Sequence, residues 1–532
     1  MKYILSLFPL VFILTTTTVN ATDYHYCNCL SGASNLCSVG NDSSAGTTAD
    51  APRKTFANAR TQFNSMAAGD SIKFCRGGSF SAGNASGWVN NNSTSTLPVT
   101  VTAYTPPTTS LSSRPIVIQA NDSRLFNFTA SGNQQGYVFS NLDLRCIACN
   151  YNGSSSAFFF YSDIDNVTLD NISIDGFRIG IQLAALTQIG VEQDNITIRN
   201  ITSINNKTQG ILGGANNFIL EDSYFANNGG GTVFDHNIYL SRGNNIIVRN
   251  NELYKSSVNA NNECNGVSFV VHSKGTIDTL LIEGNTIRED VGKATTGCWG
   301  ITVDPGYAGK DEGFLNVTLR GNKVINVGNL GIGVASCRNC IIENNIVLHE
   351  QSHKITAIGA PNRTREATDL SMDNITVRNN SIYIGPGNSG STGIRVGSEG
   401  NQHSVISNAI HYTGTGDFNC VSLDLPTSAY SAIDNNVCYF PNASSGSEWK
   451  NGSGNQTPVG SNSKNANPMF TSPGLPQVDF SLQAASAARN AGHSTLSAAK
   501  DFRGKTRDSQ PDAGALEFGT FNPPAKTNLY LN

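Results

Sequence analysis

The chain has 532 residues, of which only 14% are charged, and its formal net charge is −4. So sparse and balanced a charge excludes a protein that holds nucleic acid by its surface potential. The length calls for several globular domains or one elongated repeat structure.

Residues 1–21 open with one lysine, continue through the apolar run of MKYILSLFPLVFIL and end at Val19-Asn20-Ala21. This pattern predicts a secretory signal peptide, because the apolar run is too short to span a bilayer. No later run is long enough to cross a membrane, so the expectation is a secreted, extracellular or periplasmic protein that works as a monomer. Twelve cysteines in an exported chain point to disulfides before metal or redox chemistry.

Residues 22–110 form an N-terminal cap and the first turns of the fold. Cys27, Cys29, Cys37 and Cys75 are expected to staple it, with their pairing open. The stretch 54–66 reads as a helix with Phe56, Ala59 and Phe63 on one face. Such a helix would cover strand edges and core that the end of a solenoid leaves bare. Asp42 and Asp50, in the loop before it, are possible Ca2+ ligands, although a solvated turn is much the commoner explanation of such residues.

Residues 111–440 carry the repeat. One phrase returns as VTLDNISI (from Val167), IIVRNNEL (Ile246), LLIEGNTI (Leu280), VTLRGNKV (Val317), CIIENNIV (Cys340) and ITVRNNSI (Ile375). Its alternation of apolar and polar residues has period two, which is a strand. Asn stands at its sixth place in seven successive copies: Asn251, Asn285, Asn322, Asn345, Asn380, Asn408 and Asn436. A second phrase recurs between the copies, as GIQL (Gly180), NIYL (Asn237), GVSF (Gly266), GITV (Gly300), GIGV (Gly331) and GIRV (Gly393). Short strands joined at Asn and Gly corners, with filler of varying length, predict stacked turns about 4.8 Å apart. A buried Asn in one corner of every turn can bond to its neighbours above and below. Cys264 and Cys298 differ by the same step as Asn251 and Asn285, so adjacent turns would hold their Cα atoms about 5 Å apart, suited to a disulfide. The pairs Cys146/Cys149 and Cys337/Cys340 read as local loop-closing bridges.

Residues 441–532 begin as a Ser-, Gly- and Asn-rich linker and end with ANPMF (Ala466), DFSLQAASAARNAG (Asp479), DFRGKTR (Asp501) and PDAGALEF (Pro511). These segments resemble the closing end of secreted right-handed parallel β-helix proteins of the pectate-lyase-like type. GNDSSAGTTADAP (Gly40) and AAGDSIKFCRGGSF (Ala67) resemble their entry. The resemblance implies an all-β, single-stranded right-handed parallel β-helix with a short N-terminal capping helix and a C-terminal wrap. It implies polysaccharide-degrading enzymes and their relatives as a class, with Asp501, Arg507, Asp512 and Glu517 as structural charges of the wrap. It carries over no site: the NTD, paired-Asp and GHG motifs of the pectin hydrolases and the DPHE motif of the alginate epimerases are not intact, and FDHN is only an echo of the last.

Chemistry-bearing side chains concentrate in three consecutive turns. FDHNIYLSR supplies Asp235, His236, Tyr239 and Arg242; GVSFVVHSK supplies His272 and Lys274; CWGITVDPGY supplies Trp299, Asp304 and Tyr307. β-Elimination from a uronic acid polymer needs a cation for the carboxylate, a base for the C5 proton and an acid for the leaving oxygen. Tyr239, His272, Lys274, Arg242 and His236 are the catalytic candidates, with Asp235, Trp299, Asp304 and Tyr307 for substrate binding. No metal site is expected and no cofactor is required beyond a possible Ca2+. The partner is an extracellular polysaccharide. Hydrolysis through Asp235 and Asp304, and a non-catalytic glycan-binding or adhesin-like role, are the competing readings.

Overall fold

The computed structural model describes residues 21–519, apart from 84–86, 108, 131, 133, 185–192, 362–363, 442–448, 452–453 and 457–459. The expected signal peptide therefore lies almost wholly outside the described residues. Three long sheets of 14, 14 and 13 strands run the length of the chain, and each strand pairs in parallel with its counterparts one turn before and after. One antiparallel pair, Trp449–Asn451 with Gly454–Gln456, ends the third sheet. The chain is a right-handed parallel β-helix, the hand expected of parallel crossover connections. No helix among the described residues is long and apolar enough to cross a membrane.

The repeated phrase builds the first sheet, one corner and the second sheet. In IIVRNNEL, Ile246 and Val248 point into the core and Arg249 points out. Asn250 then turns the chain with φ +57°, and residues at the same place in other turns (Asn171, Asn200, Asp222, Gly284, Gly321, Asn344 and Asn379) are also left-handed. Asn, Asp and Gly tolerate that conformation best. The next residue, Asn251, turns inward. Its Nδ2 donates to Asn285 Oδ1 at 3.0 Å and to Leu220 O at 3.1 Å, while its backbone N–H donates to Asn285 Oδ1. The pattern repeats through Asn285, Asn322, Asn345, Asn380 and Asn408 to Asn436. Both amide donors and the carbonyl are satisfied at each interior rung, so a fully buried polar column costs no orphaned group.

Outside the first sheet the fourth place of the phrase alternates in sign from turn to turn. Asp170, Arg199, Glu221 and Arg249 pair in register, as do Glu283, Arg320, Glu343 and Arg378. Opposite charges on neighbouring strands favour the native stacking order, and like charges would disfavour a slip of one turn.

At the N-terminal end a helix, α1 (Phe56–Phe63), is capped by Thr55, whose side chain accepts from the Asn58 N–H. It is shorter than the 54–66 expected, because Asn64 already closes it and Asn90 takes the carbonyls of Phe63 and Met66. Phe56 and Phe63 enter an aromatic cluster with Phe74, Trp88 and Phe126. The Asp42 carboxylate is engaged by Lys54 N–H, Thr55 N–H and the Thr55 hydroxyl, so it fixes the start of this helix. All twelve cysteines are paired: Cys27–Cys75, Cys29–Cys37, Cys146–Cys149, Cys264–Cys298, Cys337–Cys340 and Cys420–Cys438. At the C-terminal end Phe470, Phe480 and Leu482 pack with Ile325, Leu348 and Ala409, outward residues of the second sheet. There the buried Arg507 binds Glu517, the Gly514 carbonyl and Asn344.

Candidate active site

The third sheet carries the cleft. Its strands include Gln209–Gly213, His236–Leu240, Phe269–Val271, Ile301–Val303, Leu330–Val334, Thr356–Pro361 and Ser391–Gly397. Ile211, Ile238, Phe269, Ile301, Ile332, Ile358 and Ile394 stack in register as core. The next residue in each strand faces out, giving a column of Leu212, Tyr239, Val270, Thr302, Gly333, Gly359 and Arg395. Two details differ from the sequence reading. In the turn beginning near Gly266 the paired strand starts two residues later than the GVSF copy of the phrase would place it, so Val270 and not Ser268 stands beside Tyr239, and Ser268 is buried. The loop before this strand lengthens, and the apolar alternation Val267, Phe269, Val271 fits either placement by parity alone. Second, the turn through Thr356–Pro361 carries no clear copy of the phrase, so nothing periodic in the sequence marks it.

A cleft of about 580 Å3 opens over this column, lined among others by His236, Tyr239, His272, Trp299, Asp304 and Tyr307. Tyr239 stands at its centre. Its phenol donates to the Tyr307 hydroxyl at 2.6 Å, and its ring lies 5.3 Å from that of His236 and 5.5 Å from that of His272. Burial, with Tyr307 close by, pushes the Tyr239 phenol far above its ordinary range, and burial raises Tyr307 too. Both are therefore protonated at neutral pH.

The two histidines are held in the same way. His236 Nδ1 lies 2.9 Å from Val267 O, and His272 Nδ1 lies 2.6 Å from Asp304 O. A carbonyl oxygen only accepts, so each Nδ1 carries a proton, and either ring in its neutral form keeps its lone pair on Nε2. Burial lowers the His236 pKa to about 4, which keeps that ring neutral. His272 is pinned from the other side by Gly306, where an added Cβ would meet the ring at 2.5 Å.

The walls come from three loops. Residues 229–235 place Phe234, 78% exposed, and Val233 at one rim. The segment before Trp299 is tied to the preceding turn by the Cys264–Cys298 bridge, whose Cα atoms are 5.3 Å apart. Residues 305–312 fold back on the buried Glu312, which accepts from the backbone N–H groups of Ser273, Gly306 and Tyr307.

The remaining candidates sit elsewhere. Asp235 is 2% exposed and lies behind the wall, accepting from Gly230 N–H and the Tyr151 hydroxyl, with its pKa raised by burial. Lys274 packs over the Tyr307 ring with Nζ 4.9 Å from its centroid. Burial, then Lys310 and Arg242, lower its pKa. Arg242 follows the end of its strand and does not line the cleft; Arg365, which the sequence reading did not single out, does. Nothing local in the sequence marks Arg365, which reaches the cleft where Glu366 and Asp369 accept from the Gly309 and Glu312 N–H groups of the 305–312 wall. Clusters of metal-binding types among the described residues are Cys27/Cys29/Cys37 and Cys264/Glu289/Cys298, and the cysteines of both are in disulfides.

No protein-family model matches the chain, and no curated protein matches it. Solved structures of similar fold include the A-module of mannuronan C-5 epimerase AlgE6 from Azotobacter vinelandii, at 14% identity and TM-score 0.48, covering 72% of this chain and 95% of that one. A GH136 lacto-N-biosidase from Eubacterium ramulus is 10% identical with TM-score 0.42, covering 78% and 67%. Pectate lyase Pel9A is 14% identical with TM-score 0.36, covering 94% and 97%. The likeness is one of fold.

Proposed function

We propose that this chain is an extracellular carbohydrate-active enzyme that cleaves an acidic polysaccharide by β-elimination. The observation that carries the reading is the Tyr239 phenol, bonded to Tyr307 and flanked by two imidazoles of fixed tautomer. An Nε2 lone pair of His272 or His236 removes the C5 proton of a uronate unit. The C4–O bond then breaks, and Tyr239 gives its proton to the departing oxygen. The cycle closes when the imidazolium releases the C5 proton and the Tyr239–Tyr307 pair takes one up from solvent, which restores both base and acid. Arg365 is the cation of the cleft wall available to the substrate carboxylate. Its raised pKa keeps Tyr239 protonated at neutral pH, the form a proton donor needs before the leaving oxygen departs.

Hydrolysis is less well supported. It uses two carboxylates about 5 Å or about 6.5–9.5 Å apart, and among the described residues Asp304 is the one carboxylate that lines the cleft. Asp235, the partner considered for it, lies behind the wall. Six disulfides support an oxidising, extracellular place of action.

The test is an absorbance assay of the purified protein against a panel of uronate polymers. Growth of the unsaturated product's ultraviolet band is expected on at least one. New reducing ends without that band would replace elimination by hydrolysis. No new ends on any polymer would leave a binding protein.

A further inference from the structure

The cleft does not end at the tyrosine pair. A second hollow of about 200 Å3 continues along the same face, sharing Thr302 and Asp304 with the first. Its floor is set by Gly333 and Gly359, which follow Thr302 in the outward column one turn at a time. Leu330 and Thr356 stand at its side, and Arg395 comes one turn after Gly359. Absent side chains at two consecutive rungs lower the floor where the neighbouring rungs carry Val270, Thr302 and Arg395.

The floor also holds an unanswered polar group. Thr302 is 2% exposed, and its Oγ1 has no hydrogen-bond partner among the described residues. A buried hydroxyl with no partner costs stability, and this one lies where the two hollows meet. At the far rim Arg395 Nε donates to both Asp424 oxygens, at 3.1 and 2.9 Å. That contact holds the guanidinium in place while its Nη groups make no hydrogen bond to any described residue.

We infer that this hollow is a sugar-binding subsite that seats further units of the same acidic polysaccharide, beyond the unit that reacts over Tyr239. The inference rests on the proposed function for its choice of polymer. Thr302 Oγ1 meets a sugar hydroxyl at the junction, a ring lies over Gly333 and Gly359, and the Arg395 Nη groups donate to the oxygens of the unit at the rim. From Tyr239 to Arg395 is five turns, about 24 Å at the spacing of stacked strands, so the face takes a polymer segment and not a single sugar. The chain of the polymer then lies along the helix axis, across the turns.

The experiment measures calorimetric binding of uronate oligomers, dimer to hexamer, to Tyr239→Phe protein, so that cleavage does not interfere. Into this background go Gly359→Leu, which fills the floor, Thr302→Val, which removes the hydroxyl, and Arg395→Gln. Gly359 does not adopt a positive φ, and an added Cβ there would stand 3.3 Å from Leu330 Cδ1 and Thr356 Cγ2, so these two flexible side chains must give by a few tenths of an ångström. Melting curves establish that each variant is folded. The parent should bind hexamer more tightly than dimer, and each of the three changes should reduce hexamer affinity about tenfold, the worth of one good hydrogen bond or of a blocked contact. Variants that bind hexamer as the parent does would overturn the subsite, as would a parent that binds no uronate oligomer. Length-dependent binding by a protein that forms no unsaturated ends would keep the subsite and remove the elimination reading.

Discussion

Tyr239 and Tyr307 are separated by 68 residues, yet their phenol oxygens stand 2.6 Å apart at the centre of the cleft. One sits on a strand and the other on the loop that leaves a strand two turns later, so the stacking of turns and the hold of Glu312 on the Gly306 and Tyr307 N–H groups together bring them into contact.

Replacing Tyr239 by Phe removes the proposed acid and the donor to Tyr307. Turnover on the responsive polymer should fall at least 100-fold, within the range for loss of a general acid. Stability should fall by only about 1 kcal/mol, the net worth of one hydrogen bond. Tyr307→Phe should be the milder change, because Tyr239 keeps its own proton. Steady-state rates and chemical denaturation of the two variants check the order.

The buried His236 predicts an acid sensitivity of known sign. Its pKa is lowered from 6.5 to about 4, so the unfolded chain takes up a proton at a pH where the folded one does not. The stabilising contribution is complete above about 6.5 and is lost as pH falls towards about 4. Its size is about 3 kcal/mol for a shift of this order in a group so fully buried. His236→Asn, whose amide can still donate to Val267 O, should lack this dependence. Denaturation midpoints of both proteins across that window should converge or cross as pH falls.

Gly306 predicts a positional effect on catalysis. An alanine there would bring its Cβ to 2.5 Å from the His272 ring, and the ring must move. The expected result of Gly306→Ala is a loss of about tenfold or more in turnover, as misplacement of a reacting group implies. The stability cost is about 1–3 kcal/mol from overpacking. A variant with unchanged turnover would remove His272 from the reacting groups.

The asparagine column predicts a cost that crosses turns. Asn322→Leu leaves the side-chain and backbone donors of Asn285 without Asn322 Oδ1 and removes the Nδ2 donor to Ile282 O and Asn345 Oδ1, the last keeping only the backbone N–H of residue 322. A loss of about 3 kcal/mol or more is expected from several buried groups left unpaired. Ile172 and Ile201 fill the equivalent place in earlier turns, so shape by itself is not the obstacle. Unfolding of Asn322→Leu and Ile201→Val, compared side by side, separates the two effects.

The sequence by itself determined the architecture, because its signals are local and repeated. A period-two alternation, a left-handed Asn or Gly and an inward Asn recur at each corner, and every copy reinforces the same stacking. It also made Tyr239, His236, His272, Trp299, Asp304 and Tyr307 legible, since these lie on or beside the repeated strands. What only the tertiary structure decided is which groups reach the cleft. Asp235 belongs to a strand entry, but its carboxylate is drawn inward to hold the Gly230 N–H behind the wall. Arg365 lies on a loop that no repeat governs, and it reaches the cleft because Glu366 and Asp369 bond to the 305–312 wall. The displaced strand Phe269–Val271 and the unmarked strand Thr356–Pro361 differ for the same reason. Parity fixes which side chains face out, but the length of the preceding loop fixes which rung they occupy, and that length is settled only when the turns are stacked.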